Sequence, residues 1–182
     1  MATIDQFRSG FKGVRANRFR VSGTFPGTIG ATNIAAGTFE FYCKAASVPG
    51  SAIGVIPVGY KGRPVKFSGE RTYADWLIQI YDSTDTDLRT NFERWIEAMD
   101  GRNSHQVNYN VATGGGNSNA WTVEYMEQAP GATQSGNSYQ KKIKLVNCFP
   151  VDLSPIELSY DSPDTFAEFT VTLTYDYWDY LP

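Results

Sequence analysis

Apolar and polar side chains alternate with a two-residue period in segment after segment of this chain. No other feature constrains its fold as strongly. The clearest case is 165–178, where Phe169, Val171, Leu173, Tyr175 and Tyr177 alternate with Glu168, Thr170, Thr172, Thr174 and Asp176. Only an extended strand sorts such residues onto two faces, one for a core and one for polar surroundings. The same pattern predicts a strand over 18–25, with Phe19, Val21, Gly23 and Phe25 inward, and another over 38–46, with Phe39, Phe41, Cys43 and Ala45 inward. It recurs at 74–81 (Trp76, Ile78, Ile80) and at Trp121, Val123 and Tyr125. Over 139–148 it is blurred, because Ile143 and Leu145 share a face with Lys141 and Asn147. An aromatic content of 14%, with 17 Gly and 9 Pro to supply turns, suits the same mainly β, antiparallel reading.

One helix interrupts the strands. From Asp85 to Met99, Leu88, Phe92, Trp95, Ile96 and Met99 form a single helical stripe, which bounds a helical segment at 85–100. Thr84 or Asp85 can cap it, Asp87 suits the positive end of its dipole, and Gly101 stops it. The stripe is expected to pack on the open face of a sheet. At 182 residues and 41% hydrophobic, the chain is expected to form one domain over 1–182 with a real core.

Charge is distributed unevenly. Residues 1–20 carry five basic side chains against Asp5, and 1–17 reads as a basic N-terminal arm. Residues 151–182 carry seven acids and no Lys or Arg, while the net charge of the whole is −3. A basic front and an acidic back suit head-to-tail contact between copies and argue against tight DNA binding. No run of apolar residues is long enough to cross a membrane as a helix, and the polar N-terminus lacks a signal-peptide core. Cys43 and Cys148 are too few for a disulfide scaffold or a four-thiolate metal site.

Residues 46–72 read as a long loop, rich in Gly and Pro and without clear period. Its four branched apolar residues, Ile53, Val55, Ile56 and Val58, are ones that a solvated loop would not expose, so the loop is expected to pack against another chain. The polar stretch 113–119 reads as a hairpin connection.

No catalytic constellation emerges. The single histidine, His105, would have to serve any Ser–His or Cys–His pair, and it lies in a polar segment as a plain surface residue would. A zinc site would need His105 with Cys43 and Cys148, which have no local ligand spacing. Gly131–Ser138 imitates a phosphate loop, but Asn137 stands where the lysine belongs and no helix follows. Asp82, Asp85 and Asp87 fit helix capping better than a cation loop. No enzyme, cofactor or metal is expected. A carbohydrate-binding β-sandwich, suggested by Trp121, Tyr125 and the many tyrosines, is disfavoured because those aromatics alternate as core residues.

Two segments resemble the tail tube proteins of contractile-tailed bacteriophages. One runs from Cys43-Lys44-Ala45-Ala46 and Val48-Pro49-Gly50 through Ile56-Pro57-Val58-Gly59-Tyr60 to Gly69-Glu70-Arg71-Thr72-Tyr73 and Asp75-Trp76. The other joins Phe92 and Trp95 to Phe149-Pro150, Asp161-Ser162 and the closing Phe169 to Trp178 strand. The likeness covers most of 38–178 and departs at 26–37 and 128–138.

The resemblance implies an antiparallel β-sandwich or barrel with one flanking helix, whose copies form hexameric rings with a shared inner barrel. The rings would stack into a tube in the virion tail, assembled in the host cytoplasm, through which viral DNA passes without specific binding. Its partners would be further copies, the tail sheath, the tape measure, the baseplate hub and the tail terminator, with no membrane. The 46–72 loop would be the inter-ring stacking element, through Ile53, Val55, Ile56, Pro57, Val58, Gly59, Tyr60 and Arg71. Glu168, Thr170, Thr172, Thr174 and Asp176 would face the lumen. The alternative within this fold is the inner tube of a contractile injection machine that carries protein cargo.

Overall fold

Strands form wherever large inward residues alternate without interruption. The computed structural model describes residues 3–6, 16–30, 42–84, 87–101, 121–126, 139–161 and 164–181. Ten strands lie within them: β1 (Phe19–Ser22), β2 (Cys43–Ala46), β3 (Ser51–Tyr60), β4 (Arg63–Tyr73), β5 (Trp76–Tyr81), β6 (Trp121–Met126), β7 (Tyr139–Val146), β8 (Phe149–Leu153), β9 (Glu168–Thr174) and β10 (Tyr177–Leu181). One four-stranded sheet has the order β1-β6-β7-β10, a second has β2-β5-β9-β8, and β3-β4 forms a separate pair; all pairings are antiparallel.

The two larger sheets share one core. Val21, Trp121, Val123 and Leu145 from the first join Trp76, Ile78, Ile80, Phe169, Val171 and Leu173 from the second in a single buried cluster. Trp76 and Trp121 meet edge to face across it, ring centroids 6.3 Å apart. This is the expected sandwich. Among the described residues both sheets are open and no barrel closes.

Gly23 continues the inward face of β1, and a Cβ there would stand 2.3 Å from the Trp121 ring. Any side chain there forces the Trp121 ring or the β1 backbone to shift. Gly23→Val is expected to cost about 1–3 kcal/mol or more, as overpacking does. Urea denaturation checks this, as a lower midpoint at unchanged slope.

The helix, α1 (Leu88–Met99), starts later than expected. Its N-cap is Asp87, without a side-chain cap bond, rather than Thr84; Asp85 lies outside the described residues. It ends on Asp100 in extended conformation, followed by Gly101. Leu88, Phe92 and Trp95 are buried as predicted. α1 packs against β8, in the second sheet, and the short 3-10 turn Gly27–Ile29, and its stripe joins the core cluster that the two sheets share. Phe25 sits edge-on to Phe92 and Trp95, with centroids 4.9 and 5.8 Å away. Arg89 Nη1 donates to the Ser154 carbonyl at 3.0 Å, which ties α1 to the segment after β8.

The expected long strand over 165–178 is two strands in different sheets. β9 pairs with β5 and β8, the chain bends at Tyr175–Asp176, and β10 crosses to pair with β7. The Asp176 amide donates to the Val146 carbonyl (3.1 Å), and its carboxylate accepts from Asn147 Nδ2 (2.6 Å). The bend breaks the alternation. Tyr175 stays buried, but Tyr177, expected in the core, is 43% exposed, and Trp178 packs inward in its place.

Asn147 also explains part of the blurred 139–148 pattern, whereas Lys141 lies within β7 and is exposed. Asn147 adopts a left-handed φ of 56° after β7 has ended, so its apparent face has no meaning in the strand. β2 is shorter than the expected 38–46 and has a register shift between Cys43 and Ala45; residues 38–41 lie outside the described residues.

Both thiols are free, and burial pushes each from an ordinary 9.0 up to about 12. The folded protein therefore holds these protons where the unfolded chain releases them. Their contribution to stability is complete below about pH 9 and is lost as pH rises toward about 12. Cys148, fully buried, is expected to resist iodoacetamide at pH 8 in the native protein and to react once urea unfolds it. Mass spectrometry reads the difference.

Candidate assembly surfaces

The 46–72 segment, expected as a loop, is mostly a β-hairpin. β3 and β4 pair from Ser51↔Tyr73 to Tyr60↔Arg63, joined by Lys61 and Gly62. Both turn residues have positive φ, 47° and 76°. This is the backbone of a two-residue turn whose twist matches that of the strands. At about 3.3 Å per residue the arms run roughly 30 Å. Nearly all of this hairpin is exposed; only Gly69 and Tyr73 are half-buried. Its base is fixed to the body. Tyr73 packs on Tyr175 (5.9 Å between centroids), and Trp76 Nε1 donates to the Ser47 carbonyl (2.6 Å).

The register divides the predicted stacking residues between two faces. Ile56 pairs with Phe67, Val58 with Val65 and Tyr60 with Arg63, which gives one face that is apolar almost throughout. Ile53 pairs with Arg71, Val55 with Ser68, Pro57 with Lys66 and Gly59 with Pro64, which gives a mixed face. Ile56, Val58 and Phe67 are 53%, 47% and 55% exposed. Val65 and Phe67 belong to the apolar face and escaped the sequence reading. The signal for them was Lys61-Gly62 followed by the short alternation Val65-Lys66-Phe67-Ser68. A register shift between Ile53 and Val55 sets Gly54 against Gly69, and a Cβ on Gly69 would lie 3.1 Å from the Gly54 carbonyl oxygen.

The second predicted surface is the polar face of β9. Thr170, Thr172 and Thr174 are half-buried and Glu168 is exposed. These positions pair with Gln79, Leu77 and Tyr81 of β5 and with Asp152 and Phe149 of β8. Asp176 does not continue this face, because it lies in the bend. Lys44, the cation beside this face, is bonded to Glu168, and that bond raises the lysine's pKa. The outer face of the other sheet differs. It carries Arg20, Lys142 and Lys144, with Lys142 Nζ 2.6 Å from the buried Glu124 carboxylate and Arg20 in register with Glu124.

Among the described residues no group of three or more His, Cys, Asp or Glu is placed to hold a metal. No described helix is long and apolar enough to cross a membrane. His105, 113–119 and 131–138, with most of the 1–17 arm, lie outside the described residues.

Residues 14–181 match the model of the family described as phage tail tube protein. The chain belongs to this family. Among its curated relatives is tail tube protein gp19 of Enterobacteria phage T4, 29% identical over 143 residues, which cover 78% of this chain and 81% of the relative. The tail tube protein of Serratia phage KSP90 is 24% identical over 180 residues, covering 96% and 95%. Among solved structures, a chain of an extracellular contractile injection system, solved as the PVC sheath/tube terminator in its extended state, shares the fold. Its TM-score is 0.63 at 15% identity, covering 95% of this chain and 99% of that one. The chain is thus a tail tube protein of a contractile phage tail, a structural component of the virion.

Proposed function

We propose that copies of this tail tube protein close into hexameric rings with a shared inner barrel, and that the rings stack through the β3–β4 hairpin into the conduit for viral DNA. The exposed hairpin carries this reading. An arm with a continuous apolar face is a poor surface for a lone subunit in water and a good one for a neighbour to cover. Ring closure also removes the free edges of the sheet that joins the inner barrel.

The polar face of β9 lines the lumen. Its threonines and Glu168 offer neutral or negative groups, and the adjacent Lys44 is already engaged by Glu168. The other sheet's outer face carries three cations, Arg20, Lys142 and Lys144, against Glu124, and its net positive charge would slow a passing polyanion, so that face belongs away from the DNA. The chain acts as one domain without catalysis, and its further partners are the sheath, tape measure, baseplate hub and terminator.

A tube carrying protein cargo is the second reading, supported by the fold shared with the injection-system chain. The phage relatives, at nearly twice the identity, favour DNA. Negative-stain microscopy of the purified protein, with sedimentation, tests assembly. Hexameric rings or tubes are expected; a monomer at every concentration, with or without the other tail proteins, would contradict the reading.

A further inference from the structure

The two strands of the hairpin differ in length by one residue. β3 has 10 residues and β4 has 11, and the turn at Lys61 and Gly62 pairs Tyr60 with Arg63. The extra residue falls at the register shift. Ile53 faces Arg71 and Val55 faces Ser68, so Gly54 alone opposes both Gly69 and Glu70. A bulge of this kind bends its strand and increases the local twist. Glycine lets the two backbones close on one another there, since a Cβ on Gly69 would stand 3.1 Å from the Gly54 carbonyl oxygen and 3.4 Å from Ile56 Cγ1.

Its position gives the bend a lever. On the body side the hairpin is held by Tyr73 against Tyr175 and by the Trp76 indole on the Ser47 carbonyl, between β2 and β3. Beyond the bulge, residues 55–60 and 63–68 are exposed throughout, and they carry Ile56, Val58, Val65 and Phe67. At about 3.3 Å per residue the tip lies roughly 20 Å from the bulge. A bend of about 20° there, the size of one strand-to-strand twist step, carries the tip about 7 Å.

We propose that the bulge at Gly54, Gly69 and Glu70 aims the arm, setting the direction and rotation in which its apolar face is offered to a neighbouring copy. This rests on the reading of the hairpin as an assembly element and names the residues that position it. An arm exposed on both faces has no packing of its own to fix its angle, so the backbone at its root must supply that angle. Gly54 and Gly69 are positioning residues in this role and need touch no partner.

Deleting Glu70 from the full chain tests it. Gly69 then opposes Gly54, and every other pairing from Ser51↔Tyr73 to Tyr60↔Arg63 is kept. Each face of the arm keeps its side chains, and only the bend is lost. The deletion is expected to raise the concentration needed for assembly at least tenfold, with circular dichroism and melting unchanged. Glu70→Ala removes the same carboxylate but keeps the extra residue, and it is expected to assemble like the parent. Inserting one glycine after Gly54 equalises the strands by the other route. The same pairs form, but the apolar face is turned over relative to the base, and assembly is expected to fail as well.

In the unassembled subunit the aim itself can be read. Nitroxides are coupled to encoded azide residues at Lys61 and at Asp152 or Asp179, all exposed and the last two on different sheets. The Glu70 deletion is expected to shift at least one of the two mean distances by about 5 Å or more, and Glu70→Ala neither. If the deletion or the insertion assembles like the parent while I56D/V58D does not, or if both distances stay unchanged, the bulge does not aim the arm and the hairpin reading stands. If Glu70→Ala fails as the deletion does, the lost carboxylate is responsible and the proposal falls. If I56D/V58D assembles like the parent, the hairpin reading falls and the proposal with it.

Discussion

Replacing Ile56 and Val58 together by Asp is expected to leave a folded subunit that no longer stacks. The two side chains neighbour one another on the apolar face of the hairpin, and both are about half exposed in the isolated chain. The fold therefore gains little from them, and melting should move little. Covering such a side chain fully contributes roughly 1.5–3 kcal/mol. Replacing two of them by carboxylates also places charge in a desolvated contact. The loss repeats at every subunit of a ring, so tubes should vanish rather than shorten slightly. Sedimentation together with microscopy reads the outcome, and tubes of normal length from this variant would refute the stacking role.

Arginines at Thr170 and Thr174 should have the second large effect. They would point from the polar face of β9, where the sheet's adjacent cation is already held by Glu168. Folding should survive, because neither threonine belongs to the buried core. Two guanidinium groups per copy, repeated around and along a lumen, would give the passing polyanion many weak phosphate contacts. Ejection should slow, and added salt should restore its rate as counterions compete. Normal ejection at low salt would place this face elsewhere.

The sequence revealed the parts in which one periodicity runs unbroken to the end of an element. β5 is the clearest, since Trp76, Ile78 and Ile80 all reach the core. α1 was legible because Leu88, Phe92 and Trp95 define one stripe, although the surface it covers depends on tertiary packing that no local pattern records. The hairpin was hidden because Gly54, Pro57 and Gly59, with Pro64 and Gly69, read as loop residues. In a pair exposed on both faces there is no inside to enforce alternation. The division of the last strand was hidden for the opposite reason. Tyr175 and Tyr177 keep the period going across a bend that hydrogen bonds from Asn147 and to Val146 create.

The same distinction applies to the surfaces. Apolar residues at 53–58 already signalled that something must cover that segment. The division of Ile53 and Val55 from Ile56 and Val58, and the addition of Val65 and Phe67, needed the register. Asp176 belonged to the polar face by alternation and left it through the bend, a change that side-chain type alone does not encode.

Cryo-electron microscopy of the assembled tube tests the central claim most directly. A cross-section is expected to show six copies around an inner barrel, consistent with the family resemblance, with each β3–β4 hairpin buried between successive rings and Thr170, Thr172 and Thr174 on the channel surface. A tube whose hairpins lie free in solvent, or whose channel is lined by Arg20, Lys142 and Lys144, would contradict it.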